Sequence, residues 1–161
     1  LLLVSGVAAL IVYQHWPAVL MLWSTAFLLA WGHFRYGSII AVLWALRKGD
    51  VEKAGVLLAN IRRPQWLSRR YQAYYYFALG LVSFYKKELN EGALHFQKAL
   101  DLGLSGKQEL AITHLNLAHA SYLQKDFAAT RAHIDLVHAQ NVEDLYLKER
   151  VAELEKQLQN Q

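Results

Sequence analysis

Apolar residues are distributed along this chain in two ways. From Leu1 to Phe34 they follow one another almost without relief, and no Lys, Arg, Asp or Glu interrupts them. From Ser38 onward they recur three and four residues apart among polar positions, the spacing of one face of an α-helix. The clearest stretch, Leu79 to Leu100, reads as two short antiparallel helices joined by a polar turn at Lys86 to Glu88. The same spacing predicts further helices over 38–46, 50–60, 69–86, 108–124, 126–140 and 145–159, so the expected fold class is all-α.

The uncharged stretch has its own punctuation. Leu1 to Tyr13 is apolar apart from Ser5 and Gly6, Gln14-His15-Trp16-Pro17 interrupts, and Ala18 to Trp31 is apolar again. This predicts a transmembrane helical hairpin as a first domain, residues 1–37. Crossing a bilayer core of ~30 Å takes ~20 residues; Ala18 to Phe34 suffices, while Leu1 to Tyr13 is short. The rest of that span is expected upstream of Leu1, where no initiator Met stands. Pro17 suits the first position of the second helix, where its missing N–H costs nothing. Trp16 and Trp31 then fall near opposite interfaces, which indole rings favour. A cleaved signal peptide over 1–13 is one rival, although no basic segment precedes it. A buried core hairpin is another, set against 34 residues without a charge.

The second domain, 38–161, is periodic. Lys48-Gly49-Asp50-Val51, Lys86-Lys87-Glu88-Leu89 and Gln124-Lys125-Asp126-Phe127 are spaced by 38, and so are Ala54/Gly92/Thr130, Leu58/Phe96/Ile134 and Ile61/Ala99/Val137. One helix pair per fixed period indicates stacked helical hairpins. The run Leu79-Gly80, Phe84, Leu89, Gly92, Phe96, Ala99 resembles a tetratricopeptide repeat, and Leu117-Ala118, Tyr122, Phe127, Thr130, Ile134, Val137 resembles it more loosely. The earliest copy, with Val42, Leu46, Val51 and Ala54, is degenerate in its first helix. Two departures stand out. The usual period is 34, which places about four extra residues between hairpins, and the large aromatic of the first helix is displaced to Phe84 and Tyr122, leaving Ser83 and Ser121 in its place. The resemblance sets repeats at about 38–64, 71–103 and 108–140, followed by a capping helix over 143–159. It implies a protein-binding solenoid without naming a ligand.

Charge adds an orientation. Residues 35–70 hold eight basic side chains against two acidic ones, whereas 71–161 hold nine against eleven. Arg35, Arg47, Lys48, Arg62, Arg63, Arg69 and Arg70 thus make a basic belt next to the uncharged segment. Basic residues beside membrane spans stay on the cytoplasmic side, so the repeats are expected to face the cytoplasm of a bacterial inner membrane. The belt is expected to meet anionic lipid head groups; nucleic acid is not an expected partner.

Helical spacing separates two stripes on the Tyr-rich helix from Arg69. Tyr76, Leu79, Gly80 and Ser83 are expected to face the partner helix. Tyr74, Phe77, Leu81 and Phe84, continued by Ile112, Leu115, His119 and Tyr122, correspond to the inner groove of the repeat family, and this is the expected partner-binding site. The chaperone-binding branch clamps a C-terminal carboxylate with Lys, Asn and Arg, types missing from this stripe, so an apolar or aromatic ligand is implied. The alternative is that the stripe is core, covered by the membrane helices or the last helix.

Sites of chemistry are sparse. There is no Cys, hence no disulfide, thiolate metal site or Cys nucleophile. His114/His119 and His133/His138 are five apart, whereas one helix face needs three or four; His114 and His133 can approach each other across a hairpin, but no metal site is expected. No phosphate loop, nucleophile elbow or H-E-x-x-H is present. Neither catalytic residues nor a cofactor is expected. The reading is a membrane-anchored repeat scaffold that binds proteins, an accessory subunit or assembly factor of a membrane protein complex; an anionic-lipid sensor and a periplasmic chaperone-like module are the alternatives.

Overall fold

The computed structural model describes Pro17, residues 20–28 and residues 38–160. The chain divides into two compact units, Leu1–Gly37 and Ser38–Gln161. In the first, residues 20–28 are helical and Leu20, Met21, Leu22, Trp23, Phe27 and Leu28 are all exposed. The Ser24 and Thr25 hydroxyls donate to the Met21 carbonyl at 2.9 and 2.7 Å, which satisfies both within the helix. The transmembrane hairpin expected over 1–37 lies for the most part outside the described residues. Among those described, no helix is long and apolar enough to cross a membrane.

The second unit is all-helical among its described residues: α1 (Ser38–Arg47), α2 (Val51–Ala59), a 3-10 turn (Pro64–Trp66), α3 (Arg69–Tyr85), α4 (Leu89–Asp101), α5 (Lys107–Leu123), α6 (Phe127–Ala139) and α7 (Leu145–Gln159). Helices α1/α2, α3/α4 and α5/α6 pair as hairpins, and α7 packs on α5. The turns inside the three hairpins are copies of one another. Gly49, Lys87 and Lys125 carry positive φ angles of 77, 65 and 61°. The next residue's N–H then reaches back to close the preceding helix, from Asp50 to Ala45 at 3.0 Å, Glu88 to Ser83 at 2.9 Å and Asp126 to Ser121 at 2.9 Å. Such a left-handed residue stops a helix while satisfying its last carbonyls. Asp50 and Asp126 start the following helices by accepting from the Lys53 and Ala129 N–H groups, both at 3.0 Å; Glu88 makes no such bond.

Helices α3, α5 and α7 begin at residues 69, 107 and 145, so α7 occupies the first-helix place of a further unit. Helices α3 and α5 have 17 residues and α4 and α6 have 13, whereas α1 and α2 have 10 and 9.

Packing inside each hairpin matches a large residue to small ones. In the second, a Cβ on Gly80 would stand 2.7 Å from the Phe96 ring, and one on Gly92 would meet the Phe84 ring. Phe96 is fully buried, with Phe84 at 5.3 Å between centroids and Phe77 at 6.1 Å. At the equivalent places the third hairpin carries Ala118, Thr130, Ile134 and Tyr122, and the first Val42, Ala54, Leu58 and Leu46. Where the large residue shrinks, the small ones grow, as close packing requires. Helix α1, apolar in sequence on every side, buries Ile39, Val42 and Ala45 and exposes Ile40 and Trp44. Whether it continues a membrane span through Gly37 falls outside the described residues.

Candidate functional site

A groove of about 640 Å³ lies between α3, α5 and α7, closed on one side by Leu46 and Val51 of the first hairpin. Its position follows from periodicity. Successive first helices present the same face, and α7, in register with them, supplies a third wall.

Of the eight groove residues expected from sequence, Leu81, Phe84, Ile112, Leu115 and His119 line it. The other three lie elsewhere. Phe77 is 4% exposed and packs on Phe96, so no ligand reaches it; as a groove residue it is corrected to core. Tyr74 is half-buried and packs against the core around Ile39, Val42 and Leu58 and that around Phe77 and Phe96. Tyr122 packs on Phe127 at 6.0 Å and against the core of Ala118, Ile134, Val151 and Leu154. Phe77 is thus core under α4 rather than under the last helix, and of these three only Tyr122 packs against residues of α7.

The groove also has polar walls that the stripe did not contain. Asn116, Arg150 and Glu153 line it, so Asn and Arg, the types missing from the stripe, are present at the groove through other positions. Asn116 donates to the Ile112 carbonyl at 2.8 Å, and Arg150 pairs with Glu153 at 2.7 Å. Burial holds His119 below the usual histidine range, Arg150 pushes the same way and Glu153 opposes it; its imidazole enters the groove neutral near pH 7. The i,i+3 spacing of Arg150 and Glu153 marks an ion pair on α7, but nothing in α7 alone says which helix that face meets. Beside the groove, Arg47 reaches Glu109 at 3.6 Å and links the first hairpin to the third.

The basic belt is not one surface. Arg35 lies outside the described residues. Arg47 and Lys48 sit at the far end of α1, Lys48 with its ammonium 3.5 Å from the Trp44 ring centroid. Arg62, Arg63, Arg69 and Arg70 sit at the opposite end of that hairpin, where α2 ends and α3 begins. Arg69 is tied to the Asp101 carbonyl at 3.4 Å.

His114 and His133 do meet across the third hairpin, Nδ1 to Nδ1 at 3.3 Å, with rings stacked at 5.5 Å. Burial lowers the pKa of both, and His133 lowers that of His114 further. Among the described residues no group of three or more His, Cys, Asp or Glu stands ready to hold a metal. The same two positions in the second hairpin are Tyr76 and His95, stacked at 6.1 Å. No family model matches this chain, and no curated protein and no solved structure matches it either.

Proposed function

We propose that the chain is a membrane-anchored helical-repeat scaffold of the tetratricopeptide kind, which holds another protein as an accessory subunit or assembly factor of a membrane protein complex. The observation that carries this reading is the groove of about 640 Å³, lined by apolar Leu81, Phe84, Ile112 and Leu115 together with polar Asn116, Arg150 and Glu153. Such a surface suits an amphipathic helix that presents apolar anchors one turn apart. The repeated turns and the 38-residue spacing of helix starts support a solenoid. The uncharged stretch supports an anchor, and the basic residues after it support repeats on the cytoplasmic side. The mechanism is binding; no enzymatic step is proposed.

The test is to extract the full chain from native membranes in mild detergent and identify what co-purifies in near-equal amount. A stoichiometric membrane partner that is lost with Leu81→Asp and Leu115→Asp, at unchanged helicity, supports the scaffold reading. A lone monodisperse protein, or a partner indifferent to both substitutions, overturns it.

A further inference from the structure

The connection from α2 to α3 is held in a way that turns a tryptophan outward. Pro64 opens the 3-10 turn, and Leu67, 6% exposed, anchors the connection in the core. The Gln72 side-chain amide donates to the Leu67 carbonyl at 2.8 Å and to the Gln65 carbonyl at 3.3 Å, pinning the backbone on both sides of Trp66. Trp66 itself is 62% exposed, and the Arg63 guanidinium lies 4.5 Å from its ring centroid. Arg62 and Arg70 flank it, both exposed. Three guanidinium groups and an indole are thus exposed, and none of the three is within ion-pair distance of a described carboxylate. They stand at the end of the hairpin where α1 begins, the end at which the chain arrives from residues 1–37.

We propose that Arg62, Arg63, Trp66 and Arg70 form a foot that rests on an anionic phospholipid surface, the guanidinium forks taking phosphate oxygens and the indole entering the head-group layer. Guanidinium matches phosphate in two-point geometry, and indole favours the membrane interface. Charge complementarity selects an anionic bilayer, and the uncharged segment that leads into α1 selects a membrane over an acidic protein. The foot rests on the reading of residues 1–37 as the anchor. It is independent of what fills the groove.

The absence of Cys from the sequence makes a single introduced thiol a unique probe. The full chain with Trp66→Cys, carrying an environment-sensitive fluorophore, is placed in nanodiscs of neutral phosphatidylcholine or of phosphatidylcholine with phosphatidylglycerol. Protection from a water-soluble quencher is expected to rise several-fold in the anionic discs. High salt should abolish the gain, and so should Arg62→Glu, Arg63→Glu and Arg70→Glu together. A label at Lys48→Cys, at the other end of α1, should show no such dependence. Equal quenching in the two lipids overturns the foot. Protection in native membranes but not in anionic discs assigns the patch to an acidic protein and overturns it too. Alkaline carbonate washing separates the two readings: a chain that leaves the membrane sinks the anchor and the foot together, whereas a retained chain with a lipid-blind probe sinks the foot alone.

Discussion

The second and third hairpins place the same helices in the same register and fill the seam between them differently. In the second, Phe96 lies against Gly80, and Phe84 against Gly92, so the two backbones approach with aromatic rings as the filler. In the third, Ile134, Ala118 and Thr130 share the volume, the Thr130 hydroxyl donating to the Asp126 carbonyl at 2.7 Å. A seam built on two large rings depends on each of them. A seam of several medium side chains spreads the loss.

Truncation should expose this contrast most. Phe96→Ala is expected to cost ~3–5 kcal/mol, and Ile134→Ala less, from ~2 kcal/mol upward, as read by denaturant unfolding. Equal losses would end the distinction. Overpacking comes next. Gly80→Ala forces a methyl into the Phe96 ring and should cost ~1–3 kcal/mol, recovered in part when Phe96→Leu is added. In the third hairpin the converse change, Ala118→Gly, should cost about 2 kcal/mol, from helix propensity and the loss of one buried methyl. The helix starts differ too. Asp126→Ala removes a bond to the Ala129 N–H and should cost about 1 kcal/mol, while Glu88→Ala, at a start without such a bond, should leave thermal stability close to that of the parent.

The smallest effect concerns pH and belongs to the third hairpin. His114 and His133 have pKa values lowered from 6.5 by burial, so the unfolded chain takes up protons before the folded one. Their contribution is complete above about 6.5 and is lost as pH falls from there through the lower folded values. Two protonated rings would also turn N–H against N–H across the 3.3 Å contact. Amide protection factors in α5 and α6, taken relative to the intrinsic exchange rate at each pH, should therefore fall below pH 6.5, and His133→Asn should flatten that dependence. A uniform response of both hairpins would sever it from the His pair.

Much of the helical unit was legible before any coordinates. The helices stop within about two residues of where spacing and caps place them, because Gly49, Lys87 and Lys125 terminate them through bonds to neighbours at most five residues away. The candidate site was legible in part. Leu81, Phe84, Ile112, Leu115 and His119 share the expected face, yet Phe77 does too and is core, since α4 brings Phe96 onto it.

The sequence by itself determined the 38-residue period, the helix boundaries, the small and large partners of each seam and the uncharged segment ahead of a basic one. All of these are properties of short stretches or of their repetition, where backbone hydrogen bonds and side-chain spacing act locally. Tertiary structure alone decided the rest. It brought Arg150 and Glu153 of α7 to the wall of a groove lined also by α3 and α5. It also parted Arg47 and Lys48 from the four arginines of the next connection by the length of α1, about 15 Å at the helical rise per residue. Charge composition adds over a stretch whatever its direction, whereas a surface forms only when the chain turns back and chooses which residues share it.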